Sequence, residues 1–300
     1  MTLAPRVVVI HRRTELDELV DRHGTRGQAE FFLRGRGRDL GDVQARHDAR
    51  TLALQAVSAA VPVGWRRGTV ERGDLGRFLF DPGDIVVAVG QDGLVANVAK
   101  YLSGQPVIGV DPEPGPGPAV LVPHRAADVA ALLGAVEAGT APLDRRTMAE
   151  ALCDDGQVLV ALNELYLGHA SHQSARYLIR TPDGHSERQS SSGLITGTGT
   201  GATGWCASLQ RQRGRAFPLP SPQQRRLAWF VREAWPSPST GTSCTAGVLD
   251  AGESLEIVVS TDALVVFGDG LEHDHLTAAW GQRVLVHASD RVLNHVGAAP

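Results

Sequence analysis

The strongest constraint in the chain is one apolar run, Asp84-Ile-Val-Val-Ala-Val-Gly90, followed at once by Gln91-Asp92-Gly93. A run this short and uniform is a strand covered on both faces. Leu94 to Leu102 then has helical spacing and stops at Ser103-Gly104, and Pro106-Val-Ile-Gly-Val110 is a second buried strand. Strand, glycine turn, helix and strand make the βαβ unit of a parallel sheet. Arg6-Val-Val-Val-Ile10, with a helix capped by Thr14, starts the chain in the same style. Asp42 to Val61 supplies a further helix that Pro62 ends. The first half is therefore expected to be α/β, with a parallel, Rossmann-like sheet.

The character changes after the helical stretch Ala126 to Ala138. Short β-like runs take over: Val158–Leu162, Arg176–Ile179, Gly193–Thr196, Leu255–Val259, Ala263–Phe267 and Arg283–His287. Turn signals such as Pro182-Asp183-Gly184 and Gly268-Asp269-Gly270 lie between them. This pattern predicts an all-β, sandwich-like second domain. The expected boundaries are 1–145 for the α/β domain, 146–285 for the β-rich domain, and 286–300 for a C-terminal return segment. Residues 111–118, Asp-Pro-Glu-Pro-Gly-Pro-Gly-Pro, form a loop, since four prolines exclude helix and inner strand.

Composition narrows the function classes. With 29 basic and 33 acidic residues the net charge is −4, so the chain lacks the field that would hold nucleic acid or an anionic membrane. Cys153, Cys206 and Cys244 show no paired spacing, and a disulfide framework or zinc knuckle is not expected. No apolar run approaches the roughly 20 residues of a membrane span, and the N-terminus reads as a strand, not a signal peptide. A cytoplasmic protein is the expectation. Lys100 is the sole lysine. It falls within a helical run, so an enzyme that needs a lysine in its phosphate loop is disfavoured.

Three segments offer chemistry. Gly90-Gln91-Asp92-Gly93 lies at the carboxyl end of a parallel strand and opens a helix, where backbone N–H groups attract phosphate. Asp92 there reads either as a group that shares Mg²⁺ or takes a proton in phosphoryl transfer, or as the N-cap of the helix. Asn163-Glu164 can hold the adjacent hydroxyls of a ribose, or form a solvated turn. Gly199, Gly201 and Gly204 fit GxGxxG, but the acid that a dinucleotide fingerprint needs about 20 residues later is missing. No Asp or Glu occurs between Glu187 and Glu233. The alternating threonines and glycines of 196–204 read instead as a nucleotide-binding loop or a glycine-rich hairpin. Seven arginines in the same acid-free interval, Arg188, Arg211, Arg213, Arg215, Arg225, Arg226 and Arg232, give a local charge of +7. They could collect a phosphorylated ligand or simply be solvated. The pairs His169/His172 and His273/His275 lack a matching third ligand, so no metal site is expected.

Taken in order, these segments resemble the NAD kinase family, within the superfamily that also holds diacylglycerol kinases. The matching stretches are Gly90-Gln-Asp-Gly-Leu94, Asn163-Glu164, Gly193-Leu-Ile195, Thr198 to Trp205 and Val265-Val-Phe-Gly-Asp-Gly270; the start, Arg12-Arg-Thr-Glu15, looks closer to the mitochondrial-type branch. The resemblance implies a two-domain NAD kinase-like architecture and transfer of phosphate from ATP, with Mg²⁺, to the 2′-hydroxyl of NAD, giving NADP. A kinase for a nucleoside, sugar or polyol, or a nucleotide sensor without catalysis, is the alternative. It further implies that Asp92 activates the hydroxyl and that Gly90, Gln91, Gly93, Asn163, Glu164, Thr198, Thr200, Gly201, Thr203 and Trp205 bind nucleotide. The expected partners are small-molecule nucleotides, with no nucleic acid and no membrane, and the expected assembly is a homodimer or homotetramer. Gln91, Leu94, Ser192, Gly199 and Ala202 stand where the family carries glycine, threonine, aspartate, proline and serine.

Overall fold

Two units divide the computed structural model: Met1–Asp144 with Asn294–Pro300, and Arg145–Leu293. The structure describes residues 4–113, 115, 119–214 and 217–297. Pro114, Pro116, Gly117 and Pro118 of the proline-rich loop, Arg215, and the final three residues of the return segment lie outside the described residues.

In the first unit the order is β1 (Arg6–His11), α1 (Glu15–His23), α2 (Arg26–Arg34), α3 (Leu40–Ala60), β2 (Arg66–Glu71), β3 (Asp84–Val89), α4 (Asp92–Ala99), β4 (Pro106–Val110) and α5 (Val129–Glu137). The strands pair in parallel in the order β2-β1-β3-β4. Asn294 and His295 then pair in parallel with Pro106 and Val107 on the far side of β4. Thr14 caps α1 through a capping box with Asp17, an arrangement that stabilises a helix start by about 1 kcal/mol. Asp84 is wholly buried at the start of β3 because Arg6 of β1 holds both its oxygens, at 2.7 and 2.6 Å. This bidentate pair fixes the β1–β3 register.

One face of the sheet, with Val7, Val9, Ile85, Val87, Ile108 and Val110, packs with Ala53 and Val57 of α3 and Val129 and Leu133 of α5. Helix α4 has Leu94 through Ala99 all buried, as a stretch apolar at every position but Asn97 requires. It starts two residues earlier than its spacing predicts, because Gln91 is already extended and acts as N-cap. It ends at Ala99, and Tyr101 and Leu102 tighten into i→i+3 turns. The polar edge strand β2 and the helix α2 do not show in the apolar pattern.

In the second unit the elements are β5 (Leu143–Cys153), β6 (Val158–Ala161), β7 (Glu164–His169), β8 (Ala175–Arg180), β9 (Ser186–Ser191), β10 (Gly193–Gly197), α6 (Trp205–Arg213), β11 (Leu227–Arg232), β12 (Ala246–Leu249), β13 (Ser254–Val259), β14 (Leu264–Gly268), β15 (His275–Ala278) and β16 (Arg283–Val296), whose last residues belong to the first unit. An antiparallel sheet runs β12-β11-β10-β7-β14-β15. A second set, β16-β13-β8-β9, is also antiparallel, with β5 joining β6 and β16. Leu165, Leu167, Leu194, Trp229 and Val266 from the first sheet meet Tyr177, Ile179, Leu255, Ile257 and Val284 from the second in one core, the layering of a sandwich. Helix α6 is the departure from an all-β expectation. It buries Cys206 and Leu209 against Ile195, Ala228 and Phe230 on the outer face of the first sheet. Among the described residues no helix is long and apolar enough to cross a membrane.

Candidate functional site

The β3–α4 turn delivers Asp92 to the carboxyl end of the parallel sheet. Asp92 is the first residue of α4, so it does not cap the helix. Its two oxygens instead accept the backbone N–H groups of Val120, at 3.1 Å, and Leu121, at 2.9 Å. Two fixed donors set the direction of the carboxylate and leave each oxygen a further lone pair. The Leu121 segment is itself held. His295 donates Nε2 to the Leu121 carbonyl, His124 donates Nε2 to that of Val296, and Gly109 lies so close that a Cβ would sit 1.7 Å from the Leu121 oxygen.

Gln91 has φ −109° and ψ 168°, extended geometry that any side chain adopts, so the turn needs no glycine there. Leu94, where the family has threonine, is buried beneath Gly90, and the turn offers backbone N–H groups without that hydroxyl. Gly93 is the opposite case, because a Cβ on it would meet nothing within 4 Å. That open side faces a cavity of about 420 Å³, lined by Gly90, Gln91, Asp92, Gly93, Asp111, Pro112, Glu113, Gly115, Ala119, Val122 and Arg50.

In the second unit, Asn163-Glu164 and the threonine-glycine loop converge. Asp269, at φ 55° in the turn after β14, accepts the backbone N–H groups of Leu162 (2.8 Å), Asn163 (2.7 Å) and Glu164 (3.4 Å). It thereby holds the β6–β7 corner open toward the loop. Thr198 donates its N–H to the Asn163 carbonyl at 2.9 Å and its hydroxyl to the Leu162 carbonyl at 2.5 Å. The same hydroxyl accepts from the N–H groups of Thr200 and Gly201, so Thr198 is engaged in building the loop. Gly201 packs against Asn163 so closely that a Cβ would come 2.3 Å from its carbonyl oxygen. Gly199 has no room for the family's proline, because Ser221 and Pro222 backbone atoms fill that space at 2.0 to 2.5 Å.

The groups left over are the informative ones. Neither the Asn163 amide nor the Glu164 carboxyl has a side-chain hydrogen bond to the described residues, and the Thr200 hydroxyl is enclosed without a partner. Thr203 is exposed one turn further on. Trp205 stacks parallel to Tyr166 with ring centroids 6.0 Å apart, and Arg232 lies over the Trp205 ring at 5.4 Å. Sequence reasoning assigned no site role to Asp269 or Tyr166, and it named Arg232 only as one of seven arginines that could collect a phosphorylated ligand. The Gly268-Asp269-Gly270 turn was the available signal for the first.

Other expectations resolve by pairing. Arg225 bonds Asp290 and Arg226 bonds Asp250, acids distant in sequence, and Arg213 donates to the Thr245 and Val231 carbonyls. Within the +7 interval, Arg225 and Arg226 are thus neutralised and Arg213 is engaged with backbone. Among the described residues no three His, Cys, Asp or Glu side chains are grouped to hold a metal ion. Gly199 and Gly201 follow an antiparallel strand, which is not the setting of a dinucleotide fingerprint.

Burial, and then the Asp269 charge, push the Glu164 carboxyl up from about 4.5 to about 7. A folded-state pKa above the unfolded one means that the fold holds a proton the unfolded chain releases, so stability is lost as pH rises between those values. The loss for this group is about 3 kcal/mol. Glu164→Gln is expected to match the wild type near pH 4.5, to gain on it up to about pH 7, and to hold that gain at higher pH in urea-unfolding midpoints. A constant difference across that range would show that Glu164 is ionised throughout.

No family model matches the chain, and no curated protein matches its sequence. Among solved structures it is similar to yeast NADH kinase complexed with NADH, at 14% identity and a TM-score of 0.58, over 99% of this chain and 84% of that chain. At that identity the likeness is one of fold: an α/β unit followed by an antiparallel β unit.

Proposed function

We propose that the chain is an ATP-dependent kinase whose acceptor is a ribose hydroxyl, with the 2′-hydroxyl of NAD or NADH as substrate and NADP or NADPH as product. The observation that supports this reading best is the set of unpartnered groups in the second unit. Enclosed polar atoms are normally satisfied, yet the Thr200 hydroxyl has no partner, and the half-buried Asn163 amide and Glu164 carboxyl make no side-chain hydrogen bond to the described residues. A ribose supplies the donors and acceptors they lack.

In this reading Asp92 is the base. The acceptor oxygen forms a bond to the γ-phosphorus of ATP, the bond from that phosphorus to the bridging oxygen breaks, ADP leaves, and the acceptor's proton passes to Asp92. Backbone N–H groups at the start of α4 face the charge on the phosphoryl oxygens. The scattered acids fit a Mg²⁺ that arrives on the triphosphate with water ligands of its own, as this small ion usually does. MgATP is thus the second substrate.

The test is to incubate the purified chain with ATP, Mg²⁺ and either NAD or NADH, and to follow NADP or NADPH with a coupled dehydrogenase. Product from either acceptor is expected. ATP consumption that appears only with a nucleoside, sugar or polyol would move the acceptor assignment. Nucleotide binding with no turnover of any acceptor would make the chain a sensor.

A further inference from the structure

The cavity at the Asp92 turn contains one cation among its described lining residues, Arg50, and nothing above assigns it a role. Its place in the sequence is unusual. Val43, Arg50 and Val57 are seven apart on α3, two turns each, so they share a face of the helix. Val43 and Val57 are buried, and the third position on that stripe is an arginine. Its pairing is also incomplete. Nη1 donates to the Arg13 carbonyl at 3.5 Å, the outer limit of a hydrogen bond, and the buried Nε–H has no partner. The half-buried arginine has desolvated its Nε without satisfying it.

The lining also dictates the kind of ligand. Asp92, Asp111 and Glu113 face the same cavity. Asp92 and Asp111 already accept backbone N–H groups, so the cavity is lined by three acidic side chains. Three carboxylates and one guanidinium repel a bare polyphosphate. A polyphosphate that carries a divalent cation meets both signs, with the cation toward the acids and the phosphate oxygens toward the guanidinium. We infer that Arg50 is a phosphate-binding residue of this cavity, and that it takes a polyphosphate only as its divalent-metal complex. The inference rests on the kinase reading for the identity of the polyphosphate as ATP, and on the cavity alone for the anion site. It supplies the cation that a chain with one lysine otherwise lacks at its phosphate turn.

Binding of MgATP, Mg²⁺-tripolyphosphate, metal-free tripolyphosphate and adenosine to the full chain should be measured by calorimetry, for wild type, Arg50→Gln and Arg50→Lys, with melting temperatures alongside. The wild type is expected to bind both metal complexes and to bind metal-free tripolyphosphate at least 10-fold more weakly. Arg50→Gln should weaken both metal complexes by about 10- to 100-fold, leave any adenosine binding unchanged, and melt close to the wild type. Arg50→Lys should recover part of the loss, since it restores charge without the planar fork. Equal affinity of wild type and Arg50→Gln for the metal complexes overturns the inference, as does failure of the wild type to bind either complex. A loss shared equally by adenosine, or one that follows a large drop in melting temperature, also overturns it. Arg50-dependent binding of Mg²⁺-tripolyphosphate without turnover of any acceptor would sink the kinase reading and leave this site standing.

Discussion

Asp92→Asn should cut turnover with ATP, Mg²⁺ and NAD or NADH by at least about 100-fold, the scale of losing a general base. The amide keeps the shape of the carboxylate but cannot accept the proton of the acceptor hydroxyl. A second effect follows from the hydrogen bonds. The carboxylate accepts the N–H groups of Val120 and Leu121 through different oxygens, whereas an amide offers one oxygen and sets its own NH₂ against the other donor. That mismatch costs about 1–3 kcal/mol, and a lower melting temperature is expected along with the lost rate. The two effects separate in kinetics. A base contributes to kcat, whereas a displaced 119–121 segment reshapes the cavity and raises KM. A variant that melts early yet turns over within about threefold of the wild type would reduce Asp92 to a latch for Leu121.

Gly201→Ala is expected to be among the most damaging single-methyl changes in the second unit, and the one that acts directly on the Asn163 corner. The new Cβ would fall 2.3 Å from the Asn163 carbonyl oxygen and 2.7 Å from its carbon, both backbone atoms. No rotamer change relieves a backbone clash, so the loop must lift from the β6–β7 corner. It then loses the Thr198 bonds to Asn163 and Leu162. Overpacking of this kind costs about 1–3 kcal/mol or more, and it also moves the adjoining Thr200 along with the loop. Nucleotide affinity and melting temperature should fall together. Gly134→Ala is the matched control: it lies inside α5 with open space around it and should raise stability by up to about 1 kcal/mol. If Gly201→Ala behaves like the control, the close packing of loop and corner is not what organises the site.

How much of this was legible in sequence depended on whether a local pattern survived its tertiary setting. Strands β3 and β4 were legible because burial on both faces leaves an unbroken apolar run. Strand β9, Ser-Glu-Arg-Gln-Ser-Ser, was not, because it lies at the edge of its sheet and alternates polar side chains. Strand β5 contains Met148, Ala149, Glu150, Ala151 and Leu152, good helix formers that pairing with β6 holds extended, a case of context overriding propensity. Among the candidate residues, Asp92 in the first unit and Asn163, Glu164 and the 198–205 loop in the second could be picked out by residue type and by their resemblance to a family. The donors at Val120 and Leu121 and the brace at Asp269 come from 28 to 107 residues away, and no local motif encodes such distances. The +7 interval counts charges that the fold partly cancels, since Asp250 and Asp290 pair with Arg226 and Arg225 from outside the window.

Asn294 and His295 pair with β4, and His295 also grips the carbonyl of Leu121, the residue that orients Asp92. On the ribosome these residues emerge after the whole of 145–293. The first unit can collapse early, but its Asp92 segment cannot set until the second unit has been made and the chain has come back. The nascent protein therefore stays without its finished turn throughout translation of the β unit, and a chain that stops within that unit has neither unit complete.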